Sequence, residues 1–349
     1  MNKVDYIIVG CGLAGIAFCE QLQSTQKSFL VFDDQSQQSS VVAAGLYNPV
    51  ILKRFTEVWK AKEQLALALP FYKKLEQEFN IELDYQLPVY RRFASVEEQN
   101  EWFTASDKPS LQVFLSTQLI KNTNPSISAP FGFGEVKHTG RVDTASLLFH
   151  YKSYLKEQQQ YINETFDYDE LKVVNTEVVY KNIVAKRLIF TEGFGMIHNP
   201  YFKNLPLNVA KGEVLTIKAP ELNINFGLKS SIFIIPLKDD LYNVGATYNW
   251  TDKTNDVTNE AKEELLTKLK QVIKCDFEVV HQVAGIRPTV KDRRPLVGVH
   301  HNHKNVTILN GLGTRGVMLA PFLAKQLFEH LEYGTPLDAD VDIKRFKNL

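Results

Sequence analysis

Three glycines near the start of the chain, Gly10, Gly12 and Gly15, stand where backbone can meet a phosphate. The order is Val4-Asp5-Tyr6-Ile7-Ile8-Val9, then Gly10-Cys11-Gly12-Leu13-Ala14-Gly15, then an apolar run from Ile16 to Leu22. In a strand, loop and helix of this kind, Gly10 makes the tight turn, Gly12 lets a pyrophosphate approach and Gly15 lets the helix pack close to the strand. The first helical N–H groups, at Leu13 and Ala14, and the positive end of the helix dipole would face the phosphates. A second apolar strand, 28–32, ends at Asp33, roughly twenty residues on, the spacing at which a carboxylate grips ribose hydroxyls. Asp34 is the alternative acceptor. Asp33 is preferred because it directly follows the strand, at the carboxyl edge where ligands collect. The segment reads as a dinucleotide-binding βαβ unit, against the competing reading of a glycine-rich turn in another α/β fold.

The far end of the chain repeats the theme. A strand at 306–309 runs into Asn310-Gly311-Leu312-Gly313-Thr314-Arg315-Gly316 and a helix at 317–331, so a second part of one extended cofactor is expected to be cradled there. Between the two units, 41–50 reads as a loop passing close to a ligand. Helical periodicity covers 56–79, with Pro70 expected to break it or start a new helix. Extended segments follow at 88–93, and 106–130 is turn-rich. A helix at 145–159 can be capped by Asp143 or Thr144. Strands are expected at 173–179 and 185–191, a turn at Lys211-Gly212-Glu213, and an antiparallel hairpin from 231–236 and 241–248 around Lys238-Asp239-Asp240. An amphipathic helix at 260–273 and a strand at 277–286 lead to Arg287-Pro288.

The fold class is therefore α/β: a Rossmann-like nucleotide domain with an interleaved antiparallel-sheet substrate domain. The nucleotide domain is assigned to 1–80, 138–205 and 290–349, the substrate domain to 81–137 and 206–289. With 349 residues, 44% of them hydrophobic, the chain can bury a large core. Forty basic and forty acidic residues cancel, so no charge imbalance calls for a polyanion and a nucleic-acid partner is not expected. Cys11, Cys19 and Cys275 form neither a disulfide framework nor a CxxC pair, which suits a reducing compartment. The first residues do not read as a signal peptide, and no run approaches the roughly 18 apolar residues of a spanning helix. A cytoplasmic protein is expected. Oligomeric state and peripheral membrane association are not legible in these features.

Taken together, the first glycine loop, 206–217, the strand to Gly245-Ala246-Thr247, Ala284-Gly285-Ile286-Arg287-Pro288 with Arg294-Pro295-Leu296-Val297-Gly298, and 311–321 resemble the FAD-dependent D-amino-acid oxidase and glycine oxidase family over most of the chain. The resemblance implies non-covalent FAD, its diphosphate on the first loop and its isoalloxazine and ribityl portion against the last loop and helix. Cofactor contacts are implied at Gly45, Leu46, Gly193, Gly311, Gly313, Thr314, Arg315, Gly316 and Val317, beside Gly10, Gly12, Leu13, Ala14, Gly15 and Asp33 or Asp34. The implied chemistry is hydride transfer from a carbon bearing nitrogen to the flavin, followed by imine hydrolysis, on a small amine or amino acid. Protein groups then need chiefly to orient substrate and exclude water. The sequence departs from the family pattern at Asp33, where many relatives carry Glu, at Ala44-Gly45-Leu46-Tyr47-Asn48-Pro49, and at Glu192-Gly193-Phe194-Gly195.

Arg287 matches the family's carboxylate-binding arginine, and a guanidinium at a strand end can hold a carboxylate by two parallel hydrogen bonds. Arg315 is either a second clamp or a positive charge for the reduced flavin. The bland reading of each is a surface ion pair. Tyr248 is placed at the end of a strand on the face of Tyr242, Val244 and Ala246, as a packed aromatic with its hydroxyl at the rim or as a group that reaches the substrate. His300, His301 and His303 read as solvated turn residues rather than a metal site, Cys11 as a packing residue, and Lys53 and Arg54 as a solvated pair. Two other functions compete: a flavoenzyme acting on a modified tRNA base side chain, and a non-catalytic flavin-binding protein. A nicotinamide dehydrogenase would leave the last glycine loop without a role.

Overall fold

The computed structural model describes residues 2–174 and 176–346. Two eight-stranded sheets organise them. In the first, the strand Asn2–Val9 lies between Phe29–Phe32 and Ile183–Phe190, parallel to both. Tyr6 and Ile8 point into one core and Ile7 and Val9 into the other, as expected of parallel strands covered on both faces. The two halves of Ile183–Phe190 have different partners on their other edge. Its start pairs with Glu177–Tyr180 and its end with Val306–Asn310. That branching brings the carboxyl ends of Asn2–Val9, Ile183–Phe190 and Val306–Asn310 side by side.

Helices Leu13–Ser24 and Gly316–Tyr333 pack on each other over one face, through side chains such as Phe18 and Phe328. Burying each such aromatic contributes about 1.5–3 kcal/mol. Helix Ala61–Phe79 lies against the last helix and runs through Pro70 without a break, unlike the interruption expected from sequence. Its apolar face, including Leu65, Tyr72 and Leu75, is buried on both sides of the proline, and that packing holds the helix together. Helix Thr144–Glu157 starts at Asp143, whose carboxylate accepts the Ser146 N–H at 3.1 Å.

The second sheet has the order Glu278–Arg287, Ala210–Lys218, Leu241–Gly245, Phe233–Pro236, Gly227–Lys229, Val89–Arg92, Phe133–Val136, Leu115–Ile120. One face, with Leu215, Ile217, Leu228, Ile234 and Val244, is covered by Leu265 and Leu269 of helix Asn259–Lys270. Its other face carries Gly285, where an added Cβ would meet Val42 and Ser39 of the loop after the second strand of the first sheet. This face looks toward the glycine loops.

Four local expectations are corrected. Lys211-Gly212-Glu213 is not a turn but the start of the continuous strand Ala210–Lys218, where Lys211 is fully buried and its ammonium meets Asp252 at 2.5 Å. The stretch 106–130 contains a strand, Leu115–Ile120, preceded by an unexpected helix, Val96–Ser106, anchored by the Trp102 indole donating to the Ser116 carbonyl at 2.9 Å. The strand expected at 173–179 is two antiparallel ones, Leu171–Val174 and Glu177–Tyr180. The strand Leu241–Gly245 ends before Tyr248. Tyr242 and Val244 are buried under the helix-covered face, whereas Tyr248 is 58% exposed and does not share it.

Candidate active site

At the first loop, Gly10 has φ +99°, and a Cβ there would stand 2.7 Å from the Thr191 carbonyl oxygen. A Cβ at Gly15 would stand 2.2 Å from the Gly10 oxygen. Neither position tolerates a side chain, because helix, turn and neighbouring strand are in backbone contact. Gly12 caps the helix without a side-chain hydrogen bond, and the first turn holds no acidic residue. The Leu13 N–H reaches the Ser40 hydroxyl at 3.4 Å. Among the described residues, no carboxylate of the helix's own first turn neutralises the dipole and its leading N–H groups.

The second loop meets the first directly. A Cβ on Gly316 would stand 3.1 Å from Leu13 Cδ1, so the two helices start against each other. Gly311 and Gly313 have positive φ, and helix Gly316–Tyr333 likewise begins with no side-chain cap and no acid in its first turn. The Asn310 amide joins two strand ends by donating to the Gly193 carbonyl at 2.9 Å while accepting the Gly311 N–H at 2.7 Å. Thr314 is exposed and Val317 is buried. Gly45 is required for a different reason: a Cβ would fall 1.8 Å from the Val142 oxygen, where Leu46–Tyr47 pairs with Gly140–Val142.

Asp33 is buried and faces the loop, accepting the Cys11 N–H at 3.2 Å. Its other oxygen takes the Tyr161 hydroxyl at 2.8 Å and the Lys152 ammonium at 2.7 Å. Asp34 turns outward and is held by the Ser36 N–H and the Thr165 hydroxyl, both at 2.9 Å. Beyond Thr191, Glu192 is buried, accepting from Tyr168 and from Asn199 at 2.7 Å, and burial pushes its carboxyl up to about 7. Lys152 and Tyr161 were not singled out from the sequence, since neither sits in a local motif, and Glu192 stood out only as a departure from the family pattern.

Arg287 closes the strand Glu278–Arg287 and folds back over its neighbour. A Cβ at Gly212 would stand 1.9 Å from Arg287 Nη2, so the absence of a side chain at 212 makes room for the guanidinium. Its Nη1 donates to the Thr247 carbonyl at 3.2 Å, and the Tyr248 ring lies 4.5 Å from Cζ. Burial lowers the pKa of both the Arg287 and the Arg315 guanidinium. The second loop is tied to the same point, because the Gly313 N–H donates to the Pro288 carbonyl at 3.1 Å. Arg294 pairs with Asp340 at 3.7 Å and Arg345 with Asp292 at 2.9 Å. Among the described residues no carboxylate pairs with Arg287 or Arg315. The arrangement is two partly buried cations by the second glycine loop, Arg287 lying against an exposed phenol.

The remaining candidates are placed elsewhere. His300, His301 and His303 stack on one another, with His300 and His303 centroids 4.9 Å apart, and Tyr201 packs edge-on against them. His301 is exposed as a solvated turn residue would be, whereas burial and the neighbouring imidazoles lower His300 to about 4. No group of His, Cys, Asp and Glu among the described residues is arranged to hold a metal. Burial raises the Cys11 thiol, and Lys53 and Arg54 are exposed. A depression of about 560 Å³ lined by Gln99, Lys121, Phe131 and Lys274 lies at the opposite edge of the second sheet from Arg287.

The profile of the FAD dependent oxidoreductase (DAO) family matches residues 5–330. The chain belongs to this family. A Campylobacter jejuni protein described as tRNA 5-methylaminomethyl-2-thiouridine biosynthesis bifunctional protein MnmC is 26% identical over 144 residues, 40% of this chain. That match spans only 23% of the length of the MnmC protein. Among solved structures, a glycine oxidase from Geobacillus kaustophilus superposes with a TM-score of 0.79 over 97% of each chain at 18% identity. An iminodiacetate oxidase from Chelativorans superposes with a TM-score of 0.76 over 96% of each at 18% identity. These structures share the fold. The glycine loops fit a dinucleotide such as FAD, since Gly10 and Gly15 have no space for a Cβ and the two adjoining helices begin without an acid in their first turns. No described helix is long and apolar enough to cross a membrane.

Proposed function

We propose that the protein oxidises the C–N bond of a small amine that carries a carboxylate, an amino acid or an N-substituted relative. One observation carries this reading: Arg287, against the Tyr248 ring, and Arg315, in the second glycine loop, are partly buried, and among the described residues no carboxylate pairs with either. Two desolvated guanidiniums are costly unless an anion joins them, and a planar carboxylate matches their fork of donors. The two structural neighbours, a glycine oxidase and an iminodiacetate oxidase, support a carboxylated amine.

In this reading Gly10 to Gly15 would hold the FAD diphosphate non-covalently, Asp33 would hold its adenosine ribose, and Gly311 to Val317 would hold its flavin portion. The first sheet is the FAD domain, and the second is the substrate domain. When bound, FAD supplies a two-electron acceptor for the hydride from the substrate carbon. Arg287, held over Gly212, fixes the carboxylate and with it the direction of the C–H bond. Arg315 adds a second donor to the carboxylate, and Tyr248 closes the site toward solvent. Orientation of this kind contributes by removing rotational freedom before the reaction. The three free thiols suit the reducing cytoplasm.

The test is an anaerobic screen that follows loss of the oxidised flavin absorbance with matched pairs of amines, one with and one without a carboxylate. Bleaching by carboxylated amines and not by their decarboxylated partners is expected. Equal bleaching by both would remove the role assigned to the arginines.

A further inference from the structure

One ammonium on the second sheet has no part in the reading above. Lys229 ends the strand Gly227–Lys229, directly across from Phe233. Phe233 lies across from Gly245, and Gly245 across from Val214. The residues that alternate with these, Leu228, Ile234, Val244 and Leu215, belong to the core under helix Asn259–Lys270. Alternation therefore puts Lys229, Phe233, Gly245 and Val214 in one row on the opposite face. Gly212, two residues before Val214, shares that face, and Arg287 folds over it. Along the row, Phe233 Cζ comes to 2.6 Å from where a Gly245 Cβ would stand, and Lys229 Nζ lies 6.0 Å from the Phe233 ring centroid.

The neighbouring cation is neutralised and Lys229 is not. Arg91 stands directly across from Lys229 on the strand Val89–Arg92. Its Nε and Nη2 donate to Glu98 Oε1 at 2.8 and 2.5 Å, and its Nη1 to the Ser230 carbonyl at 2.9 Å. Lys229 is half-buried and, among the described residues, makes no hydrogen bond or ion pair. Burial, with the Arg91 and Lys268 charges, lowers its ammonium to about 8, which leaves it protonated at neutral pH. A desolvated ammonium without a counter-charge is costly, and an anion that enters beside it offsets that cost.

Resting on the proposed oxidation of a carboxylated amine, we infer that Lys229 selects substrates that carry a second anionic group at the end remote from the Arg287-bound carboxylate. Arg287 holds the carboxylate nearest the amine, the apolar surface of Gly245 and Phe233 takes the carbon chain, and Lys229 holds the far anion. Gly212 and Lys229 stand three strands apart, roughly 14 Å at about 4.8 Å per strand. Both side chains lean inward along the row, so a chain of several carbons spans the two charges. A carboxylate and a phosphate share the chemistry that a point-charge ammonium accepts.

The test uses the FAD-loaded enzyme and three glycines N-substituted with the same butyl-length chain, ending in a carboxylate, a phosphonate or a neutral carboxamide. Anaerobic flavin reduction at varied concentration gives a dissociation constant and a limiting rate for each. An anionic end is expected to lower the dissociation constant about tenfold relative to the carboxamide, the size of one charge-assisted hydrogen bond, with the limiting rate little changed. That ratio should vanish in Lys229→Met and be kept in Lys229→Arg. A larger gain with the carboxylate assigns a dicarboxylated amine, and a larger gain with the phosphonate assigns a phosphorylated one. The wild-type ratio is decisive by itself: equal dissociation constants for the three probes overturn the inference and leave C–N oxidation standing. A preference that survives Lys229→Met also overturns it. No reduction by any of the three overturns the proposed function, and the inference with it.

Discussion

Arg287 occupies the space that a side chain at position 212 would need, with Nη2 only 1.9 Å from where a Gly212 Cβ would stand. The two residues lie on adjacent strands, and the glycine works by what it lacks. In Gly212→Ala the methyl group meets the flexible end of an arginine rather than backbone, so the fold should persist while the guanidinium moves. Anaerobic flavin reduction by a carboxylated amine should fall about tenfold, equivalent to one charge-assisted hydrogen bond. FAD affinity should stay at the wild-type value. A variant that reduces normally would show that the guanidinium position is not critical.

A second pairing at long range concerns Tyr72 and Val317. Pro321 lies inside helix Gly316–Tyr333 and has no N–H to offer the Val317 carbonyl, which instead accepts the Tyr72 hydroxyl at 2.8 Å. Tyr72→Phe leaves that buried carbonyl without a donor, so unfolding free energy should drop by about 1–3 kcal/mol. Urea unfolding measures it, and an unchanged midpoint would mean that water or backbone rearrangement replaces the hydroxyl.

Lys152 and Tyr161 converge on the Asp33 carboxylate at 2.7 and 2.8 Å. Asp33→Ala should weaken FAD binding by about 1–3 kcal/mol through loss of a charge-assisted acceptor. Lys152→Met should weaken it less, since the carboxylate keeps Tyr161 and the Cys11 N–H. Titration of apoprotein with FAD decides the order. If Asp33→Ala binds FAD as tightly as wild type, the ribose acceptor lies elsewhere, with Asp34 the next candidate.

Burial raises the Glu192 carboxyl from 4.5 to about 7. Because the folded value is the higher one, the folded state binds the extra proton, and this group's contribution is fully present below about pH 4.5 and lost as pH rises through 7. The loss amounts to about 3 kcal/mol for a shift of this size. Glu192→Gln should therefore flatten the decline in unfolding free energy between pH 5 and pH 8. An identical slope in both proteins would assign the pH dependence to other groups.

Both glycine loops, their flanking strands and helices and the position of Arg287 were legible in the sequence, because short-range spacing carries the signal: Gly10, Gly12 and Gly15 lie within six residues of one another. What escaped depends on residues far apart in the chain. Lys211-Gly212-Glu213 looks like a turn until Asp252 supplies a partner for Lys211 and Arg287 fills the space above Gly212. Pro70 looks like a break until packing buries Leu65 before it and Tyr72 and Leu75 after it. Tyr248 was placed on the wrong face because strand alternation was carried past Gly245, where the strand ends. Lys152 has no local pattern at all; only the folded chain brings it to Asp33.

The most direct test of the account is reduction kinetics of Arg287→Lys and Arg315→Ala, each loaded with FAD, on one carboxylated amine and its decarboxylated partner. Lysine keeps the charge but loses the two-pronged donor. Each variant is expected to lose about tenfold or more in limiting rate over dissociation constant with the carboxylated amine and much less with its partner. A uniform loss on both amines from Arg315→Ala, accompanied by a lower flavin potential, would give Arg315 to the reduced flavin instead. Wild-type kinetics in Arg287→Lys on the carboxylated amine would contradict the central claim that Arg287 holds the substrate carboxylate.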